Sequence, residues 1–225
     1  GTVGHGGATG YLAVAALAGF PAHDLRGLVL ACNILVAGNA WIQFQRAGYF
    51  EPRKLFPLIL ASVPAAYLGA RTPVSERTLS WILGAFLIPA AFRFLTLKKA
   101  VRAGVFARSR NLIWALPVLG AGLGYLAGLT GIGGGIFLSP VLLGLGWSDA
   151  KRTAALASGF IVVNSVTALA ALGPGGFPNP GPALLLAGAA LGGGLAGARW
   201  GSGSLSEVGL QRVLGAVLLA ASVRL

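Results

Sequence analysis

The sequence predicts an all-α integral membrane protein: a polytopic helical bundle of two inverted repeats, with helices broken or made re-entrant at glycine-rich motifs. Three observations carry this expectation. First, 56% of the 225 residues are hydrophobic and only 10% charged, with a mean hydropathy of +0.80, whereas a soluble domain carries about 25% charged residues. Second, the apolar segments are long enough to cross about 30 Å of hydrocarbon as helices and lack the strict alternation of barrel strands. Third, one glycine-rich motif occurs twice.

Turn residues divide the chain into apolar segments at about 8–20, 25–44, 55–70, 78–97, 112–128, 135–147, 153–172, 182–198 and 208–223. The first follows "GTVGHGGA" and ends before Pro21. The second carries Cys32, Asn33 and Asn39, and the third follows the basic loop "QRAGYFEPRK". Between the fourth and fifth lies "LKKAVRAGVFARSRN", with five basic residues, Lys98, Lys99, Arg102, Arg108 and Arg110. The fifth holds Gly120, Gly124 and Gly128 at four-residue spacing, suited to close helix packing, as does the "GGG" of Gly192–Gly194 in the eighth. The sixth opens in "GLTGIGGGIFLSP" and contains Pro140.

A shift of 127 positions lays Gly1–Ala8 on Gly128–Gly135, matching Gly1, Gly4, Gly6 and Gly7. With small changes of register, Leu68–Arg71 falls on Ala196–Arg199 and "SERTLSWILGA" (Ser75–Ala85) on "SEVGLQRVLGA" (Ser206–Ala216). Residues 1–96 thus form a first transmembrane repeat, 97–111 a basic linker and 112–225 a second repeat. The first half begins at its motif and lacks a counterpart of Asn111–Ala127, so a further apolar segment is expected upstream. The opening also lacks the charged-then-apolar order of a signal peptide.

The formal net charge of +12 resides in short loops rather than in aromatic-interleaved or groove-reading patterns. That distribution excludes a nucleic-acid partner and fits a positive-inside topology. The linker and the Lys151–Arg152 loop are accordingly assigned to the cytoplasm. "GPGGFPNPGP" carries no charge where its repeat counterpart carries Arg46, Arg53 and Lys54, so equivalent loops face opposite sides and the repeats are inverted. The segment 111–147 then leaves and returns on one side, with the glycines at its turning point. Cys32, the single cysteine, excludes a disulfide framework and reads as a small buried hydrophobe.

Glycine costs about 1 kcal/mol in a helix interior, so Gly131, Gly133, Gly134 and Gly135, followed by Pro140, predict an interruption. At membrane depth an interruption leaves backbone groups unpaired, which is tolerated only inside protein or beside a watery cavity. A helix restarting near Gly135 would offer free N–H groups and a positive dipole end to an anion, and Gly4, Gly6 and Gly7 would do the same in the first half. Packing alone is the competing account of these glycines.

Polar residues inside the spans supply hydrogen bonds for oxyanion oxygens: Asn33 and Asn39, with Ser158, Asn164, Ser165 and Thr167 in the repeat partner. Asn33 and Asn164 rank first, occupying nearby repeat positions; interhelical bonding is the alternative. His5, inside the first glycine motif, is a candidate anion ligand or coupling group. Arg26, Arg71, Arg152 and Arg199 sit at helix ends, as topology anchors or as attractors of anions. No acid lies deep in a span, which argues against a proton pump.

The motif "GLTGIGGGIFLSPVLLGLGW", its partner "GHGGATGYLAVAALAGFP", and the segments "LVLACNILVAGN" and "AALASGFIVVNS" resemble the sulfite exporter TauE/SafE family over nearly the whole chain. The resemblance implies a multi-span transporter of two homologous halves carrying small anionic sulfur or carbon compounds, such as sulfite, sulfonates or organic acids, outward. In the first motif His5 stands where the second has Ile132.

Residues and resemblance together point to a secondary transporter in the plasma (inner) membrane, moving a small anion by alternating access and requiring neither cofactor nor metal. Its partners are the anion and the lipid bilayer. The substrate-binding set is Gly4, His5, Gly6, Gly7, Asn33, Gly131, Gly133, Gly134, Gly135, Ser158, Asn164 and Ser165. The alternatives are a non-transporting assembly or scaffold subunit, and an intramembrane protease using Ser158, for which no later helix supplies a histidine base.

Overall fold

The computed structural model describes residues 26–96, 112–173 and 180–222, which form eight helices and no strand. In chain order these are α1 (Arg26–Arg46), α2 (Pro52–Arg71), α3 (Glu76–Thr96), α4 (Leu112–Thr130), α5 (Gly135–Gly144), α6 (Ala150–Leu172), α7 (Pro180–Ser202) and α8 (Glu207–Ser222). Two of them, α1 and α6, are long and apolar enough to cross a membrane, with mean hydropathies of 1.5 and 1.9. Trp81, Phe92 and Val118 are each more than 70% exposed, an apolar surface suited to lipid rather than water.

Local chemistry sets the helix ends. Pro52 opens α2, where its missing N–H costs nothing, and the Asp149 carboxylate accepts from Arg152 N–H at 2.8 Å to cap α6. Gly173 closes α6 with φ +64°, donating its N–H to Leu169 O. Proline does not end these helices: Pro57, Pro64, Pro89, Pro117 and Pro140 all lie inside them. The expectation that Pro140 helps to interrupt the chain is therefore corrected; it sits within α5, and the interruption lies wholly at residues 131–134.

At the centre, α1 and α6 run antiparallel. Gly38 abuts Val162, Trp41 lies against Gly159, and Lys151 Nζ, in the first turn of α6, donates at 3.3 Å to the OH of Tyr49, just past the end of α1. By contrast, α2 and α4 run parallel and very close. Gly120, Gly124 and Gly128 face the backbones of Leu58, Ser62 and Ala66 in turn, and Gly69 faces Tyr125 in return; a Cβ at any of these would overlap main chain. The four-residue glycine spacing is thus a packing stripe, as expected. Of "GGG", Gly194 meets another helix, at Val36, while Gly192 and Gly193 meet nothing among the described residues.

The alignment of the two sequence halves expected above lays α1 on α6, α2 on α7 and α3 on α8. Helix α1 packs on its own equivalent α6, α3 packs on α8, and the contact of α2 with α6 is matched by that of α7 with α1.

One end of the bundle gathers charge from both halves. Glu51 pairs with Lys54 at 2.9 Å and with Arg152 at 3.3 Å, Arg152 also meets Asp149 at 3.4 Å, and Lys151 reaches Gly203 O at 3.3 Å. Lys54 Nζ stands 5.3 Å from the centre of the Trp147 ring. Toward the other end, Leu30, Ala70 and Ala168 form a small apolar cluster with Leu169 and Leu172.

Candidate functional site

The segment between α4 and α5 is where the main chain departs most from regular structure. Gly131, Gly133 and Gly134 have φ of +69°, +78° and +81°, the left-handed region that costs an L-residue with a side chain about 1–2 kcal/mol. Three such positions in four residues reverse the chain. Helix α4 runs parallel to α2, and α5 leads to Trp147 beside Lys54 in the first turn of α2, so α4 begins and α5 ends at the charged end. The unit is a hairpin with one arm of 19 residues and one of 10.

Every residue from Gly131 to Pro140 is buried. The turn lies against Ile161 and Ser165, in the middle third of α6. A Cβ on Gly133 would stand 2.7 Å from Ser165 Oγ and 3.4 Å from Asn33 Nδ2, and one on Gly134 would stand 2.9 Å from Phe160. These positions require glycine twice over, for backbone angle and for space.

The turn is stabilised by few hydrogen bonds. Gly131 N–H donates to Ala127 O at 3.0 Å, Thr130 Oγ1 donates to Leu126 O at 2.8 Å, and Ile132 N–H donates to Thr130 Oγ1 at 3.3 Å. Asn33 Nδ2, from α1, donates to Ile132 O at 3.2 Å. Arg26, at the start of α1, donates through one terminal nitrogen to Gly128 O and, at 3.1 Å, to Leu129 O. These are two of the carbonyls that α4 leaves unpaired at its C-terminus.

Other polar groups at the turn have no partner among the described residues. Gly134 O accepts from Phe137 N–H and Leu138 N–H at 3.1 Å each, so the N–H groups of Gly135 and Ile136 are the donors that α5 leaves over. Asn33 Oδ1 and Ser165 Oγ, on residues 0% exposed, are unpaired, as are Arg26 Nε and Ser139 Oγ in α5. Unpaired buried polar atoms are few in native proteins and call for an explanation. Among the described residues no three of His, Cys, Asp and Glu come close enough to hold a metal ion.

The expected site residues divide into three groups. Gly131, Gly133, Gly134, Gly135, Asn33 and Ser165 come together at the turn. Ser158 and Asn164 lie on the same helix as Ser165; Ser158 Oγ donates to Ala155 O at 2.9 Å and Asn164 Nδ2 to Phe160 O at 2.8 Å, both within α6, while the buried Asn164 Oδ1 has no partner among the described residues. Thr167 Oγ1 likewise donates within α6, to Val163 O at 2.9 Å. Gly4, His5, Gly6 and Gly7 lie outside the described residues, as do His23 and the linker. Arg26 is the contributor not ranked from the sequence, where an arginine opening an apolar helix has the pattern of an anchor; Ser139 was not singled out at all.

The whole chain, residues 1–225, matches the model of a family described as sulfite exporter TauE/SafE. It is 34% identical to "Probable membrane transporter protein y4hK" of Sinorhizobium fredii (strain NBRC 101917 / NGR234), over 99% of this chain and 91% of that protein. No solved structure matches it.

Proposed function

The chain belongs to the sulfite exporter TauE/SafE family, and from that premise we propose that it is a secondary transporter carrying a small oxyanion, such as sulfite or a sulfonate, through the glycine turn. The single observation that carries the proposal is the turn itself, a buried left-handed segment where the N–H groups of Gly135 and Ile136, without a partner among the described residues, stand beside the unpaired Ser165 hydroxyl, which can donate, and Asn33 Oδ1, which can only accept. Irregular backbone at depth exists where it lines a path. The start of α5 is the positive end of its dipole, and an anion there gains donors that need not be stripped from other partners.

The packing pattern supports a two-fold relation between the halves. In that relation the equivalent helices that contact each other, α1 with α6 and α3 with α8, would flank the two-fold axis, and the α2–α6 and α7–α1 contacts would be its off-axis pair. Since α1 and α6 are antiparallel, that axis is perpendicular to them and parallel to the membrane, the geometry of inverted repeats. The hairpin of α4 and α5 is then re-entrant from the charged end, which the excess of lysine and arginine assigns to the cytoplasm of a plasma-membrane protein. Transport proceeds by alternating exposure of the turn to the two sides, and export follows the family's role.

Proteoliposomes containing the full-length protein test this by uptake of sulfite, sulfate, sulfoacetate and lactate, with Gly134→Leu as control. Saturable uptake of one anion, abolished in the variant, is expected. Folded wild-type protein that carries none above empty vesicles would overturn the proposal.

A further inference from the structure

The turn joins two helix ends of opposite sign. The C-terminus of α4 presents carbonyls equivalent to about half a negative charge, and the N-terminus of α5 presents N–H groups equivalent to about half a positive charge. Four residues separate them. Left alone, the poles would largely cancel at the turn, and the site would favour neither anions nor cations; in other transporters, exposed C-terminal carbonyls of broken helices coordinate a cation.

Arg26 changes this balance. Its guanidinium donates to Gly128 O and Leu129 O, and its side chain runs beside the turn: a Cβ on Gly131 would stand 2.8 Å from Arg26 Cγ and 3.1 Å from Nε. Among the described residues Arg26 forms no ion pair with any carboxylate, and its Nε has no partner. A whole positive charge thus opposes half a negative one, and the positive pole of α5 is left uncompensated beside Asn33 and Ser165.

We infer that Arg26 is a built-in counter-cation: it occupies the carbonyl pole of the broken helix that a dissociable cation could otherwise fill, and so biases the turn towards anions. Arg26 is a positioning residue that acts through the field and the carbonyls of α4. The inference rests on the transport function proposed above and adds the origin of its charge selectivity.

The test compares sulfite uptake by full-length wild type, Arg26→Lys, Arg26→Gln and Arg26→Ala in proteoliposomes, the last with and without millimolar guanidinium chloride. Lysine keeps the charge, whereas glutamine keeps hydrogen-bond donors without it. The half-saturating sulfite concentration should rise about tenfold or more in Arg26→Gln and Arg26→Ala, remain within about threefold of wild type in Arg26→Lys, and fall again when guanidinium is supplied to Arg26→Ala. If Arg26→Gln fails to fold, the lysine variant and guanidinium rescue still decide the matter.

Unchanged half-saturation in Arg26→Gln, with wild type active, would overturn this inference and leave the transport function standing. A loss that neither lysine nor guanidinium repairs would make Arg26 a packing strut and also overturn it. Wild-type protein inactive towards all the anions would remove the transport function, and this inference with it.

Discussion

Asn33 on α1 and Ile132 in the glycine turn are joined by a 3.2 Å hydrogen bond from the side-chain amide to the main-chain carbonyl, across 99 positions of sequence and with both residues buried. It ties the turn to the central helix pair. Removing the donor leaves a buried carbonyl unsatisfied, at about 1–3 kcal/mol. Asn33→Ala should therefore lower the thermal unfolding midpoint in detergent. Asn33→Asp should lower it further, because an ionised carboxylate can only accept and would oppose the Ile132 oxygen.

Ser165 behaves in the opposite sense. Its hydroxyl is fully buried and unpaired, so Ser165→Ala removes an unsatisfied group and should leave the unfolding midpoint unchanged or slightly raised. Anion uptake should nevertheless fall several-fold. A stable variant with undiminished uptake would separate Ser165 from the path.

Glycines with similar sequence surroundings should respond differently. Gly133→Ala meets both a positive φ and the Ser165 hydroxyl at 2.7 Å, and should cost about 1–3 kcal/mol. Gly122→Ala, on α4 with nothing within 4 Å of its Cβ, should be neutral or stabilising by up to about 1 kcal/mol. Unfolding curves of the two variants in one detergent provide the comparison.

The α2–α4 seam predicts a steric limit. A Cβ on Gly124 would lie 2.5 Å from Ser62 O and 2.6 Å from Ser62 Cα, so any side chain must force the helices apart. Gly124→Val should reduce the yield of monodisperse protein sharply. Size-exclusion profiles beside Gly122→Val, whose Cβ meets nothing among the described residues, would show whether the seam is that tight.

At the charged end, the Arg152 and Glu51 side chains are 47% and 34% exposed, so solvent and salt screen their 3.3 Å contact. A double-mutant cycle of Glu51→Gln and Arg152→Gln should give a coupling of at most about 1 kcal/mol, shrinking as salt is raised. A larger, salt-insensitive coupling would mean that this end is drier than the exposure indicates.

Much of the architecture was legible in the primary structure. The apolar segments gave all eight described helices to within a few residues, because twenty apolar residues in lipid can satisfy their backbone only as helix. The second glycine motif marked the interruption because left-handed φ excludes other residues cheaply. Glycines within helices were less legible: Gly194 and Gly192 look alike in sequence, yet one meets Val36 and the other nothing among the described residues. Facing is a property of the neighbouring helix.

Composition, period and the glycine motif alone point to a membrane helical bundle and its interruption at Gly131–Gly134, since each follows from backbone chemistry that is local in the chain. Which polar groups meet at that interruption was fixed only by tertiary packing. Asn33, Ser165 and Arg26 reach the turn from other helices, whereas Ser158 and Asn164, equally polar and equally buried, bond back to their own helix. The difference lies in helix rotation and register, which arise from contacts between segments far apart in sequence.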